Sequence, residues 1–165
     1  MNIGEALLEL KSMKSEMSRL VQERDNNFKF KIAGTGEGIT AQAEVQSENF
    51  GNSTKEILKL AEKIRKLKIQ VEITNHKSYV DTPEGKMTIA EAIHSIGDMR
   101  AELSTLEGLR ENFKKDRYGY RDEDDKFSFQ LSQKQLLFEI ATLERKKIRL
   151  DQFLSKRNWD VALIE

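Results

Sequence analysis

The sequence predicts a mainly α protein: four amphipathic helices in an antiparallel bundle or coiled-coil arrangement, with β-hairpins projecting from it. Three observations carry this reading. Apolar residues recur at three- and four-residue spacing in four segments, each segment opens on a small polar residue followed three positions later by Glu or Gln, and a single Pro interrupts 165 residues of which 34% are charged. The first pattern is that of a helix burying one stripe, the second is an N-terminal capping box, and the third is the composition of long solvated helices.

Helix one carries Ile3, Leu7, Leu10, Met13, Met17 and Leu20 and runs to about residue 25. Helix two repeats the spacing through Ile57, Leu60, Ala61, Ile64, Leu67 and Val71. Helix three does so through Ile89, Ile93, Ile96, Leu103, Leu106, Leu109 and Phe113. Helix four does so through Leu136, Ile140, Leu143, Leu150 and Leu154, with Lys147 interrupting its stripe. The boxes at their heads are Asn2/Glu5, Ser53/Glu56, Thr88/Glu91 and Ser132/Gln135. In each, the first side chain accepts a hydrogen bond from a backbone N–H that the helix leaves open, and the second reaches back.

Between helices one and two, Phe28, Phe30 and Ile32 alternate with lysines, and Ile39, Ala41, Ala43 and Val45 alternate again after a Gly-rich turn at residues 34–38. This reads as a hairpin-like insertion at about 26–52. A second hairpin turns through Asp81-Thr82-Pro83-Glu84-Gly85, where Pro presets φ and Gly supplies the permissive position. A third would pair Tyr118–Arg121 with Lys126–Phe129 across the acidic run 122–125. The whole chain, 1–165, reads as one helical domain. Four narrow stripes leave apolar surface over, so the expected partner is a second copy of the chain.

Composition excludes several functions. Lys+Arg and Asp+Glu both number 28, so no general attraction to long nucleic acid or to an anionic membrane follows. With no Cys there are no disulfides, thiolate nucleophiles or Cys-based zinc sites, and the cytoplasm is the expected compartment. No apolar stretch has the length of a signal or a membrane span. The Gly-rich segment 34–38 lacks the Lys-Ser/Thr of a phosphate loop, His76 and His94 lie on different segments, and the carboxylates of 122–125 are not spaced as a calcium loop. No metal or cofactor is expected, and no local signature selects a nucleophile and base, so the reading is a binding protein and not an enzyme.

The residues that suit a ligand are Arg117, Tyr118, Tyr120 and Arg121, two guanidinium groups beside two aromatic rings on a projecting turn. Arg forks pair bidentately with phosphate and Tyr faces stack on a base, so the set fits a small phosphorylated nucleotide; as scaffold, the same rings pack on the bundle and the arginines pair with the neighbouring acids. Asn75, at the expected end of helix two, serves either as a C-cap or to read a ligand edge. Trp159 either packs on the bundle or assists binding, and Arg100, at the edge of the helix-three stripe, either snorkels or enters an interface pocket.

The succession Asn2-Ile3-Gly4-Glu5-Ala6-Leu7, Ile73-Thr74-Asn75, Gly85 with Met87-Thr88-Ile89-Ala90-Glu91-Ala92-Ile93, Asp116-Arg117-Tyr118 and Asn158-Trp159 resembles the septicolysin-like family of bacterial and phage proteins. The resemblance implies a helical, self-associating protein, and the family's name implies a pore-forming haemolysin, a role that the charged composition argues against. Small helical oligomers carried by phages are similar in design to proteins that sequester nucleotide immune signals. The expectation is therefore a phage anti-defence sponge in the host cytoplasm, taking signals of the cyclic ADP-ribose or cyclic-dinucleotide class at sites between subunits. A structural assembly module is the alternative, and a membrane-active toxin the third.

Overall fold

The computed structural model describes residues 1–29, 37–117 and 128–164, as backbone alone at 37–42 and 114–117. In order along the chain come α1 (Ile3–Phe28), α2 (Glu37–Lys77), β1 (Tyr79–Thr82), β2 (Gly85–Thr88), α3 (Ile89–Arg117) and α4 (Gln133–Asp160). The fold class is the expected one, mainly α with four helices and a small antiparallel hairpin. Among the described residues no helix is long and apolar enough to cross a membrane. The chain divides into two compact units, Met1–Thr74 with Trp159–Glu165, and Asn75–Asn158.

In the first unit α1 begins at its capping box. Glu5 N–H donates to Asn2 Oδ1 and Asn2 N–H to Glu5 Oε2, both at 2.8 Å. Ile3, Ala6, Leu10 and Leu20 then face inward, while Arg19 pairs with Glu16 and Glu23 on the wet side. Phe28 lies against Phe50 at a centroid distance of 6.0 Å, and Met17 shares a hollow with Ile64 further along, so α1 and α2 run in opposite directions. The C-terminal tail closes this end. Ile3 N–H donates to the Val161 carbonyl and Leu163 N–H to the Met1 carbonyl, each at 3.0 Å, with Asn2 bridged to Ala162. Ile164 N–H donates to Thr74 Oγ1 at 3.0 Å, and that hydroxyl donates to the Gln70 carbonyl at 2.7 Å, so the buried Thr74 is satisfied on both sides.

Three expectations fail on α2. The helix begins at Glu37, so Ile39, Ala41, Ala43 and Val45 belong to a 41-residue helix and not to the arm of a hairpin. The segment Ala41-Gln42-Ala43-Glu44 alternates in polarity but consists of strong helix formers, with none of the β-branched residues that stiffen a strand. Ser53/Glu56 is likewise no helix start. Ser53 is buried mid-helix, and the Thr54 hydroxyl turns back to the Phe50 carbonyl at 2.8 Å, the bond by which such residues are accommodated inside a helix. Nor does Asn75 cap the helix, which continues to Lys77. The remaining arm of that expected hairpin, from Phe30, lies outside the described residues.

In the second unit β1 and β2 pair from Tyr79↔Thr88 to Thr82↔Gly85 around the predicted Pro83-Glu84 turn. Gly85 has φ +126°, a conformation that a side chain would resist. The strand then passes directly into α3 through the Thr88/Glu91 box. Thr88 N–H donates to Glu91 Oε2 at 2.6 Å and Glu91 N–H to Thr88 Oγ1 at 3.1 Å. The core gathers Val80 of the hairpin, Ala92, Ile96 and Met99 of α3, and Leu150 of α4, with Met87, Leu143 and Leu154 around it. The Ser132/Gln135 box caps α4, with Gln135 N–H donating to Ser132 Oγ and Ser132 N–H to Gln135 Oε1. Phe113 of α3 stacks against Phe129 just ahead of α4 at 4.3 Å, while Met99 and Leu150 meet at the other end, so this helix pair is antiparallel too.

Candidate ligand groove

The basic run Arg145-Lys146-Lys147-Ile148-Arg149 lies in the middle of α4. A helix turn of about 3.6 residues divides it between two faces. Lys147 falls on the buried stripe, as its position predicts, and is half-buried with its Nζ 3.2 Å from Asp151 Oδ2. Asp151 also faces Arg100 Nη2 of α3 at 3.6 Å, so one carboxylate neutralises the cation that interrupts the stripe and a second beside it.

The other three cations, Arg145, Lys146 and Arg149, turn to a groove of about 320 Å³. Thr82, Pro83 and Glu84 of the hairpin turn form one wall, α4 forms the other through Thr142 and these cations, and Met99, Leu150 and Phe153 supply apolar lining. The turn is held in shape by Thr82, whose hydroxyl donates to the Gly85 carbonyl at 2.7 Å and accepts from Glu84 N–H. Lys146 Nζ meets Glu84 Oε1 at 3.0 Å. Both groups are about half exposed, so this pair contributes little to stability and leaves Glu84 displaceable. Arg145 spends its Nε–H on the Ala141 carbonyl at 3.1 Å and has no acidic partner for its terminal nitrogens among the described residues. Arg149 has no acidic partner among the described residues. The groove thus presents two guanidinium forks with no acidic partner among the described residues, one loosely held ammonium, the Thr142 side chain and, further along α4, a Phe ring. Such a wall accepts phosphate bidentately, and the apolar lining accepts a planar group.

Of the residues singled out from sequence, Arg117 ends α3 with its side chain outside the described residues, as are Tyr118, Tyr120 and Arg121. Asn75 lies in the last turn of α2, its Oδ1 buried without a hydrogen-bond partner among the described residues. Arg100 is engaged by Asp151, and no hydrogen bond joins it to Asn75. Trp159 belongs to the first unit, where its ring lies on α1: a Cβ added at Gly4 would come within 2.8 Å of it. That is a packing contact for Trp159, which nonetheless remains 54% exposed, and it explains why Gly stands at position 4. The sequence reading passed over Arg145 and Arg149. Their signal was present in the run of four cations within residues 145–149, and what hid it was the distant Pro83 turn that gives those cations a wall.

No family model matches the chain, and no curated protein matches it. A solved structure with a similar fold is the crystal structure of a functionally unknown conserved protein from Corynebacterium diphtheriae. It is 17% identical, covers 99% of both chains and has a TM-score of 0.78, a likeness of fold alone.

Proposed function

We infer that the protein is a non-enzymatic, self-associating binding protein that holds a small phosphorylated nucleotide in the groove between the hairpin turn and α4. The observation that carries this is the pair Arg145 and Arg149, uncommitted to any acid among the described residues and set beside Phe153 on an apolar lining. A charge-assisted hydrogen bond contributes about 1.5–3 kcal/mol and a stacked ring about 1–3 kcal/mol, so one bond from each fork and one ring give about 4–9 kcal/mol. Micromolar affinity, about 8 kcal/mol net of the cost of immobilising the ligand, needs bidentate pairing and the groove's other polar groups as well. Binding without conversion is part of this reading; what supports it is that Glu84, the one carboxylate lining the groove among the described residues, is paired with Lys146.

The septicolysin-like resemblance and the design shared with phage signal-sequestering oligomers extend the reading to cyclic ADP-ribose and cyclic-dinucleotide signals, captured to block host defence. In that reading Arg117, Tyr118, Tyr120 and Arg121 form a second set of ligand groups. Calorimetric titration with those two classes of nucleotide, together with chromatography of whatever nucleotide heat denaturation releases, tests it. The wild-type chain should bind a member of the panel, and Arg149→Glu should weaken binding at least tenfold while leaving the melting temperature unchanged. Binding that survives Arg149→Glu but is lost on Arg117→Glu would move the site to the Arg-Tyr segment. If no nucleotide binds and none is released, the assembly-module reading takes its place, favoured by the exposed apolar residues of α2.

A further inference from the structure

α2 carries apolar residues on two opposite faces. Ile64, Leu67 and Val71 are buried in the first unit. On the other side Leu58, Ala61, Arg65, Ile69, Glu72 and Ile73 fall within an arc of about 120°, at roughly 100° per residue. Leu58, Ile69 and Ile73 there remain 66%, 48% and 40% exposed, more than an isolated surface contact explains. A shallow hollow of about 400 Å³ opens on this face, edged by Met17 of α1 and by Ala61, Arg65, Ile69 and Glu72 of α2.

The charges on the face say what covers it. Arg65 and Glu72 stand two helical turns apart on one line, with Ile69 between them, and neither forms an ion pair among the described residues. The neighbouring Glu62 is taken by Lys66 at 2.7 Å. A partner with a Glu opposite Arg65 and an Arg opposite Glu72 would match both, and the chain itself offers that pattern when reversed. We propose that this face of α2 pairs with the same face of a second copy, antiparallel, about a twofold axis beside Ile69. Arg65 of each copy then meets Glu72 of the other, and the two Ile69 side chains meet at the axis over the hollow. A parallel pairing is disfavoured, because it sets Arg65 against Arg65 and Glu72 against Glu72. Twofold closure covers the same patch on both copies and leaves no complementary face open for further growth.

The inference rests on the reading that the chain self-associates, and light scattering on the full chain separates the two. The wild type should scatter as a multiple of 19.1 kDa. Arg65→Glu alone and Glu72→Arg alone should each halve that mass, since each sets like charges together twice across the axis, and Ile69→Lys should do the same. An equimolar mixture of Arg65→Glu and Glu72→Arg should restore the original mass, because every opposition in the mixed pair again joins a carboxylate to a guanidinium. Unchanged far-ultraviolet dichroism in each variant shows that folding is not what was lost. A wild type that stays at the monomer mass at all concentrations overturns the self-association reading and this surface together. An oligomer that persists in all three variants overturns this surface alone.

Discussion

The two units hold the same kind of antiparallel helix pair together in different ways, and the difference separates support from binding. In the first, the end of the helix pair is closed by main chain. Residues 161–164 lay hydrogen bonds on Met1, Ile3 and Thr74, and the Trp159 ring lies so close on α1 that only a glycine fits beneath it. In the second, a two-stranded hairpin packs through Val80 while its turn stands off α4 far enough to leave the groove, and the cations facing that groove are barely committed. A closed end has backbone groups paired with each other. An open one has side chains waiting for a partner, and functional sites commonly pair such open elements with a rigid scaffold.

The contrast breaks first, if it breaks, on the cores. Ile3 is 1% exposed under the tail, so Ile3→Ala leaves a cavity in a region that cannot collapse and should destabilise by about 2–5 kcal/mol in urea unfolding. Leu150, buried at 7% exposure, also lines the groove, where water refills the space, so Leu150→Ala should fall at the low end of that range. Equal costs would mean that the groove wall is as closed as the tail.

A single substitution made in both units sharpens the comparison at a smaller magnitude and gives opposite signs. A methyl group at Gly4 meets the Trp159 ring at 2.8 Å, so Gly4→Ala should cost about 1–3 kcal/mol through overpacking. Gly97, in the middle of α3, has nothing within 4 Å of the same added methyl, and Gly97→Ala should stabilise by about 0.5–1 kcal/mol through helix propensity. Thermal melts of the two variants decide it. Should both destabilise, the difference assigned to Trp159 is only the helix's general response to alanine.

What the sequence made legible follows the range of the interactions. Asn2/Glu5, Thr88/Glu91 and Ser132/Gln135 close hydrogen bonds three residues apart, so residue types alone announce them. The Pro83-Glu84 turn with Gly85 is equally local. Ser53/Glu56 has the same spelling, and Gly51-Asn52 before it even reads as a break, yet the helix runs through it and Thr54 satisfies itself on Phe50. A four-letter pattern carries no information about the residues upstream. The tail that reaches Met1, Ile3 and Thr74, the Gly4–Trp159 contact and the groove join residues from opposite parts of the chain, and no periodicity encodes such meetings. Asn158-Trp159 was visible as a motif, but whether its ring packs or binds depended on what lay across from it.

The smallest effect concerns the box that joins strand to helix in the second unit. The Glu91 carboxylate accepts from the Thr88 backbone N–H at 2.6 Å and from the Thr88 hydroxyl at 2.9 Å. These bonds favour the charged form and hold its pKa below the usual Glu value, the backbone bond most of all. A carboxylate whose pKa is lower in the folded chain than in the unfolded one contributes stability that is fully present above the unfolded value, about 4.3 for Glu, and is lost as pH falls through the folded value. Glu91→Gln keeps an oxygen for Thr88 but does not titrate. The melting temperatures of the wild type and Glu91→Gln should therefore differ at pH 7, with the wild type higher, and converge as the pH drops below about 4. The box is exposed, so the difference should be modest and should shrink in high salt. A gap of the same size at pH 7 and pH 3 would show that the oxygen's shape alone matters at this junction and that its charge contributes nothing.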